Sequence, residues 1–112
     1  ISQALLAASK RGVDVKIVAD EKSNSGKYSA TTFLANNGVA VKLDNHYAIM
    51  HNKFIIIDGV NIETGSFNYS AAAVDKNAEN VLVLWNVPKI AQAYETQWSK
   101  LWNESYLLKN NY

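Results

Sequence analysis

Four apolar residues in unbroken succession, Phe54-Ile55-Ile56-Ile57, run straight into Asp58-Gly59. A stretch that is apolar at every position, rather than at every second one, fits a strand covered on both faces. Asp58-Gly59 is a hairpin signal, because both central residues of a primed turn take positive φ. Residues 60–64 then return as an antiparallel partner. A second run of this kind, Val81-Leu82-Val83-Leu84, sits in a predicted strand over 79–85. A sheet apolar on both faces needs helices to cover it.

The remaining periodicities supply them. Ile1, Ala4, Leu5 and Ala8 mark one helix face over 1–10, stopped by Gly12, with Lys10 and Arg11 at the negative end of the helix dipole. Residues 13–19 alternate and are β-branched, which predicts a strand. Helix, glycine turn and strand in that order make half of a βαβ unit whose first strand lies upstream of Ile1. Residues 20–27 read as a polar loop at the end of a strand, where open α/β sheets place ligands. A short helix over 28–35, a strand over 39–43 and a turn at Asp44-Asn45-His46 lead to the apolar run. Residues 70–74 favour a short helix with Ser70 as cap. Pro88 opens a final helix with an apolar stripe of Ile90, Ala91, Tyr94, Trp98, Leu101 and Trp102. The expected fold is α/β in one domain: a mixed sheet with helices on both faces.

Composition sets limits on function. The chain has 112 residues, 48% of them hydrophobic, enough for a core. Net charge is +1, so a nucleic-acid or phosphate partner must be met by a local patch rather than by global charge. There is no cysteine, which excludes disulfides, thiolate metal sites and cysteine nucleophiles. No apolar run approaches the length of a membrane span. The chain lacks an initiator methionine and opens inside a helical pattern, so the expectation is a missing N-terminal portion, and compartment is not readable.

Reactive side chains gather around the first apolar run. His51 and Lys53 are two apart, which on a strand puts both on one face. An imidazole beside a fixed positive charge suits phosphoryl transfer, which wants an acid–base or nucleophilic group at phosphorus and cations for its oxygens. Gly65 permits close approach of backbone to a ligand. Ser66 and Asn68, again two apart, either donate hydrogen bonds to phosphate oxygens or serve as turn residues. The imidazole needs a carboxylate to fix its tautomer. Glu79 either supplies it or is a solvated strand end. Asp14, Asp20, Asp44, Asp58, Glu63 and Glu79 form no recognisable ligand cluster, and His46 and His51 lack zinc spacing, so no metal is expected.

In order, His51, Lys53, Asp58, Gly65, Ser66 and Asn68 spell His-x-Lys-x4-Asp-x6-Gly-Ser-x-Asn. This resembles the HKD motif of the phospholipase D superfamily, with every element at its spacing. The run from Lys10 to Val18, the Glu63-Thr64-Gly65-Ser66-Phe67-Asn68 stretch and residues 80–89 with Trp85-Asn86 are similar to the small bacterial single-motif nucleases of that family, the Nuc type. The resemblance covers essentially the whole chain and departs only at the start, where the family's first strand and the beginning of its first helix are missing.

The resemblance implies a phospholipase D-like α/β/α sandwich and a specific chemistry. His51 is then the nucleophile, forming a covalent phosphohistidine. A second HKD histidine protonates the leaving oxygen and later activates water. Lys53, Ser66 and Asn68 bind the phosphate, Glu79 hydrogen-bonds the histidine, and Asp58 and Gly65 are structural. Because one chain holds one motif, a symmetric homodimer with a single shared site is expected. No cofactor and no metal are implied. Family likeness alone points to a bacterial periplasmic or secreted setting.

Plainer readings stand beside these. His46, next to Asp44-Asn45, reads as exposed loop. Tyr47 either stacks on a base or packs. Trp85, Tyr94, Trp98 and Trp102 read as core or dimer interface. Lys22, Lys27 and Lys42 read as solvated charges, with Lys22 and Lys27 also candidates for backbone contacts. For function, a nonspecific nuclease acting on DNA or RNA leads, since a small single-motif chain has little surface for reading bases. A phospholipid phosphodiesterase or transphosphatidylase is the alternative, disfavoured by short polar loops at 20–27 and 44–49. A catalytically incomplete nucleic-acid-binding module is the third reading.

Overall fold

The computed structural model describes residues 1–24, 26–66, 68 and 75–108. The fold is mixed α/β with two small sheets and flanking helices. The chain divides into two compact units, Ile1–His51 with Leu101–Tyr112, and Asn52–Lys100.

In the first unit, helix α1 (Ser2–Lys10) leads to strand β1 (Lys16–Asp20). The segment expected as an open loop begins instead with a one-turn helix, α2 (Glu21–Asn24). Side chains close that stretch: Asn24 Nδ2 donates to the Asp20 carbonyl at 2.9 Å, satisfying a strand-end acceptor that composition alone does not reveal. Helix α3 (Ala30–Asn36) starts at a Ser29 cap, whose Oγ accepts from Thr32 N–H at 3.2 Å. Thr32 is fully buried, and its hydroxyl donates to the Gly26 carbonyl at 2.7 Å. Strand β2 (Ala40–Asp44) follows.

Strand β2 is central. It pairs in parallel with β1, Lys16 opposite Ala40 through Asp20 opposite Asp44, and antiparallel with a short strand β6 (Tyr106–Leu107) that the sequence reading did not foresee. Two-residue strands carry too little periodicity to be seen. Leu6, Leu34, Ala35, Val39, Val41 and Leu43 form the core, with Ile17, Ala19 and Leu108 packed against it. On the other face of β2, Lys42 is not a solvated charge. Its Nζ donates to the Trp102 carbonyl at 3.1 Å and lies 4.4 Å from the Trp102 ring centroid, so its charge is met by a carbonyl and a π face.

The second unit holds the antiparallel sheet β3 (Phe54–Ile57), β4 (Asn61–Gly65) and β5 (Val81–Leu84), in the order β3-β4-β5. The β3–β4 hairpin turns at Asp58 (φ 57°) and Gly59 (φ 72°), the two positive values a primed turn needs. Val60 N–H donates to the Ile57 carbonyl at 3.3 Å. The expectation of burial on both faces fails for both apolar runs. Ile57 is 43% exposed, and Val81, Leu82 and Val83 are 50%, 55% and 42% exposed. Both runs fall on the end strands of this sheet, while the middle strand holds the fully buried Ile62.

Helix α4 (Pro88–Glu104) begins at Pro88, as its fixed φ favours. Its stripe is only partly buried: Ala91 and Leu101 are enclosed, whereas Ile90 is 44% exposed. Tyr94 meets Phe54 edge to face at 5.1 Å between ring centroids. Trp85, read as core or interface, is 71% exposed. The helix expected over 70–74 lies outside the described residues.

Candidate active site

Strand pairing begins at Phe54 opposite Thr64, so His51 and Lys53 precede β3 rather than lie on it. The one-face argument for that pair therefore does not hold as a strand argument. His51 closes the first segment of the first unit and is exposed; Lys53 lies in the second unit and is half-buried. Lys53 is nevertheless anchored, because Thr64 Oγ1 donates to its carbonyl at 3.0 Å. This bond continues the β3–β4 ladder by one side-chain step beyond the last backbone pair.

The best-defined part of the site lies where β4 ends and β5 begins. Gly65 has φ +154°, and a Cβ placed on it would stand 2.2 Å from the Asn80 carbonyl oxygen. The close approach that glycine allows is thus to the protein's own backbone, not to a ligand. It lets Ser66 N–H donate to that same carbonyl at 3.0 Å. With the backbones locked, side chains from both strands meet. Ser66 Oγ donates to Glu79 Oε1 at 2.5 Å and accepts from Asn80 N–H at 3.0 Å and Asn80 Nδ2 at 3.4 Å. A hydroxyl has one proton to give, and here Glu79 takes it.

The Glu79 carboxyl has its pKa lowered from the ordinary glutamate value. The Ser66 hydrogen bond does most to lower its pKa, and a bond from the Asn77 side chain adds to this; desolvation works against them, and the Lys53 charge makes the smallest contribution, downward. Ser66, Glu79 and Lys53, three residues singled out from the sequence, are thus electrostatically linked within one unit. Asn77 and Asn80, which brace the other two, were missed. The only signal was their place on either side of Glu79, and asparagine near a strand end reads as a turn residue.

Asp58 sits in the hairpin turn and is exposed. Asn68 is exposed, and its neighbours 67 and 69–74 lie outside the described residues. Beside Lys53 a surface cavity of about 280 Å³ is lined by Asn52, Thr64, Tyr94 and Gln97 among others. It offers an aromatic face and amide groups next to a cation. Of the other basic candidates, Lys22 Nζ donates to the Ala48 carbonyl at 3.0 Å, and Lys27 lies 5.7 Å from the Tyr28 ring centroid. Tyr47 donates to Glu104 at 3.1 Å.

Comparison with known proteins gives this geometry a setting. Residues 1–102 match the family model of the cardiolipin synthase, PLD-like domain. A phospholipase D of Rickettsia bellii is 42% identical over 98 residues, 88% of this chain and 48% of that protein. A mitochondrial cardiolipin hydrolase of Chlamydomonas reinhardtii is 39% identical over 103 residues, 92% of this chain and 46% of that protein. The chain therefore spans about half the length of the curated relatives it matches. Among solved structures, the phospholipase D family member Nuc from Salmonella typhimurium superposes with a TM-score of 0.92 at 47% identity, covering 97% of this chain and 73% of that one.

Proposed function

The chain belongs to the phospholipase D-like family, and on that premise we propose that it is a phosphodiesterase, acting as a nonspecific endonuclease on DNA or RNA. The observation that carries this reading is the Ser66–Glu79 pair, whose carboxylate feels the Lys53 charge, set in a complete His-x-Lys-x4-Asp-x6-Gly-Ser-x-Asn pattern. In the proposed reaction an imidazole nitrogen of His51 attacks phosphorus, and the bond to the leaving oxygen breaks. His51 of a second copy gives that oxygen its proton. The same partner histidine then takes a proton from water, whose oxygen attacks phosphorus and releases His51.

Lys53 neutralises charge on the phosphate oxygens as it grows in the transition state. Glu79, whose pKa the Ser66 and Asn77 hydrogen bonds lower, is the carboxylate assigned to orient an imidazole. Ser66 acts first through Glu79. To bind a phosphate oxygen as well, it must redirect its single proton. Asn68 donates to phosphate. Since one chain supplies one histidine, the active form is a homodimer with one shared site. Lysine and amide donors carry the electrostatic task, so cleavage persists in EDTA.

Acid-quenched enzyme and substrate, analysed by mass spectrometry, should carry phosphate on His51. A quenched sample modified elsewhere, or His51→Ala cleaving plasmid DNA at the parental rate, would overturn the mechanism. A phospholipid substrate is the second reading, favoured by the relatives named phospholipase D and cardiolipin hydrolase. Parallel assays on plasmid DNA, RNA and phosphatidylcholine vesicles separate the two. Sedimentation showing a fully active monomer would remove the dimer.

A further inference from the structure

We propose that the first unit binds a first-row divalent cation of the zinc class through Asp44, His46 and Glu104. Asp44 ends β2, His46 follows on the next bend, and Glu104 ends α4. One donor atom from each lies within 4.8 Å of the others. The sequence reading found no ligand cluster because Glu104 is remote in the chain and only the fold brings it alongside.

A second observation points to a ligand. Asp44 is 1% exposed. Its Oδ1 accepts His46 N–H at 2.8 Å and lies 3.5 Å from His46 Nδ1. Its Oδ2 has no hydrogen-bond partner among the described residues. Asp20, opposite Asp44 in the parallel ladder, repeats the pattern at 7% exposure. Its Oδ1 accepts Met50 N–H at 2.9 Å, and its Oδ2 is likewise unpartnered. Buried carboxylate oxygens without partners cost several kcal/mol per ion in general, unless a cation or donor meets them. Two such groups on adjacent strand ends make a strong demand for positive charge.

The donor set selects the ion. Two carboxylates and an imidazole leave a fourth position for water, the pattern of a three-ligand zinc site. Magnesium and calcium prefer all-oxygen surroundings. Ligand atoms must close to about 2.0–2.2 Å from the metal. The His46 side chain is 53% exposed and can turn to do this. Tyr47 Oη, donating to both Glu104 oxygens at 3.1 and 3.4 Å, orients that carboxylate. The ion would fix the start of the 44–50 connector, whose far end Asp20 already holds at Met50, just before His51. It takes no part in phosphoryl transfer, and the proposal stands whether or not the phosphodiesterase reading does.

Titration calorimetry of the 112-residue chain with zinc chloride, and separately with magnesium chloride, tests it. Zinc should bind one-to-one and raise Tm, with magnesium silent. His46→Ala and Glu104→Gln should each weaken zinc binding at least about 10-fold. His51→Ala should leave it unchanged, which separates this site from adventitious zinc on the other histidine. No one-to-one zinc binding, parental affinity in both the His46 and Glu104 variants, or loss of binding in the His51 variant would each overturn the proposal.

Discussion

Strands β2 and β5 are both short and mostly apolar, yet they meet opposite fates. Val41 and Leu43 of β2 are 0% and 1% exposed, while Val81, Leu82 and Val83 of β5 are 50%, 55% and 42% exposed. Composition would rank β5 as the more buried strand. The difference follows from position: β2 lies between β1 and β6, with the core cluster on it, whereas β5 ends its sheet, with β4 as its one strand neighbour among the described residues. The unit around β2 invests its apolar residues in packing. The unit around β5 holds Ser66, Glu79 and Lys53, which hydrogen bonds tie to their neighbours.

That contrast predicts a separation of effects. Lys53→Ala should lower the rate of phosphodiester cleavage by about 10³-fold, equivalent to roughly 4 kcal/mol of transition-state stabilisation, because it removes the cation at the site. Its Tm, measured by calorimetry, should stay near the parental value. A large fall in Tm would mean that the second unit too depends on this side chain for packing.

Leu43→Ala should do the reverse. Truncating a fully buried leucine costs about 2–5 kcal/mol, read from urea denaturation. Leu82→Ala in β5 should stay within about 0.5 kcal/mol, as surface substitutions do. Equal losses for the two would erase the contrast between the units.

Gly65→Ala should cost about 1–3 kcal/mol from backbone strain, since the new methyl group meets the Asn80 carbonyl. It should also reduce cleavage, because Ser66 and Glu79 hang on that junction. Alanine tolerated with full activity would show that β5 can shift without disturbing the pair.

A small effect is expected at Tyr106. Its hydroxyl donates to Glu21 at 2.5 Å, and that bond, more than desolvation, pushes its pKa up to about 12. The phenol keeps its proton in the folded state, so the stabilisation is complete below the ordinary tyrosine value near 10 and is lost as pH rises from there through 12. Tyr106→Phe should remove roughly 0.5 kcal/mol at neutral pH, since the residue is 42% exposed. It should also flatten the alkaline limb of a Tm–pH curve. Glu79 has the opposite sign. Its lowered pKa favours the folded state at neutral pH, and that contribution fades as acid carries the solution below the usual carboxylate range.

Much of the fold was legible because its signals are local. The Asp58-Gly59 turn, the Pro88 helix start and the alternation in β2 each rest on a few adjacent residues. The one-turn helix α2 and strand β6 were missed, being too short for a period. The two-faced burial of β3 and β5 was misjudged because strand order is not written in a strand's own residues. At the site, the motif residues stood out by spacing. Asn77 and Asn80 did not, since what matters in them is a hydrogen bond, from Asn77 to Glu79 two residues on and from Asn80 to Ser66 at the end of the neighbouring strand.

The contact between Gly65 and Asn80 bears on design. Grafting this site onto another scaffold by copying Ser66 and Glu79 alone would bring the side chains without the crossing that aligns them. The portable unit is a pair of backbones brought together at a residue with no side chain, one offering a carbonyl and the other an amide, with the serine and the carboxylate following from that geometry. The same reasoning makes residue 65 a poor place to diversify in a library, because variation there would alter the alignment of the pair before it altered any contact with substrate.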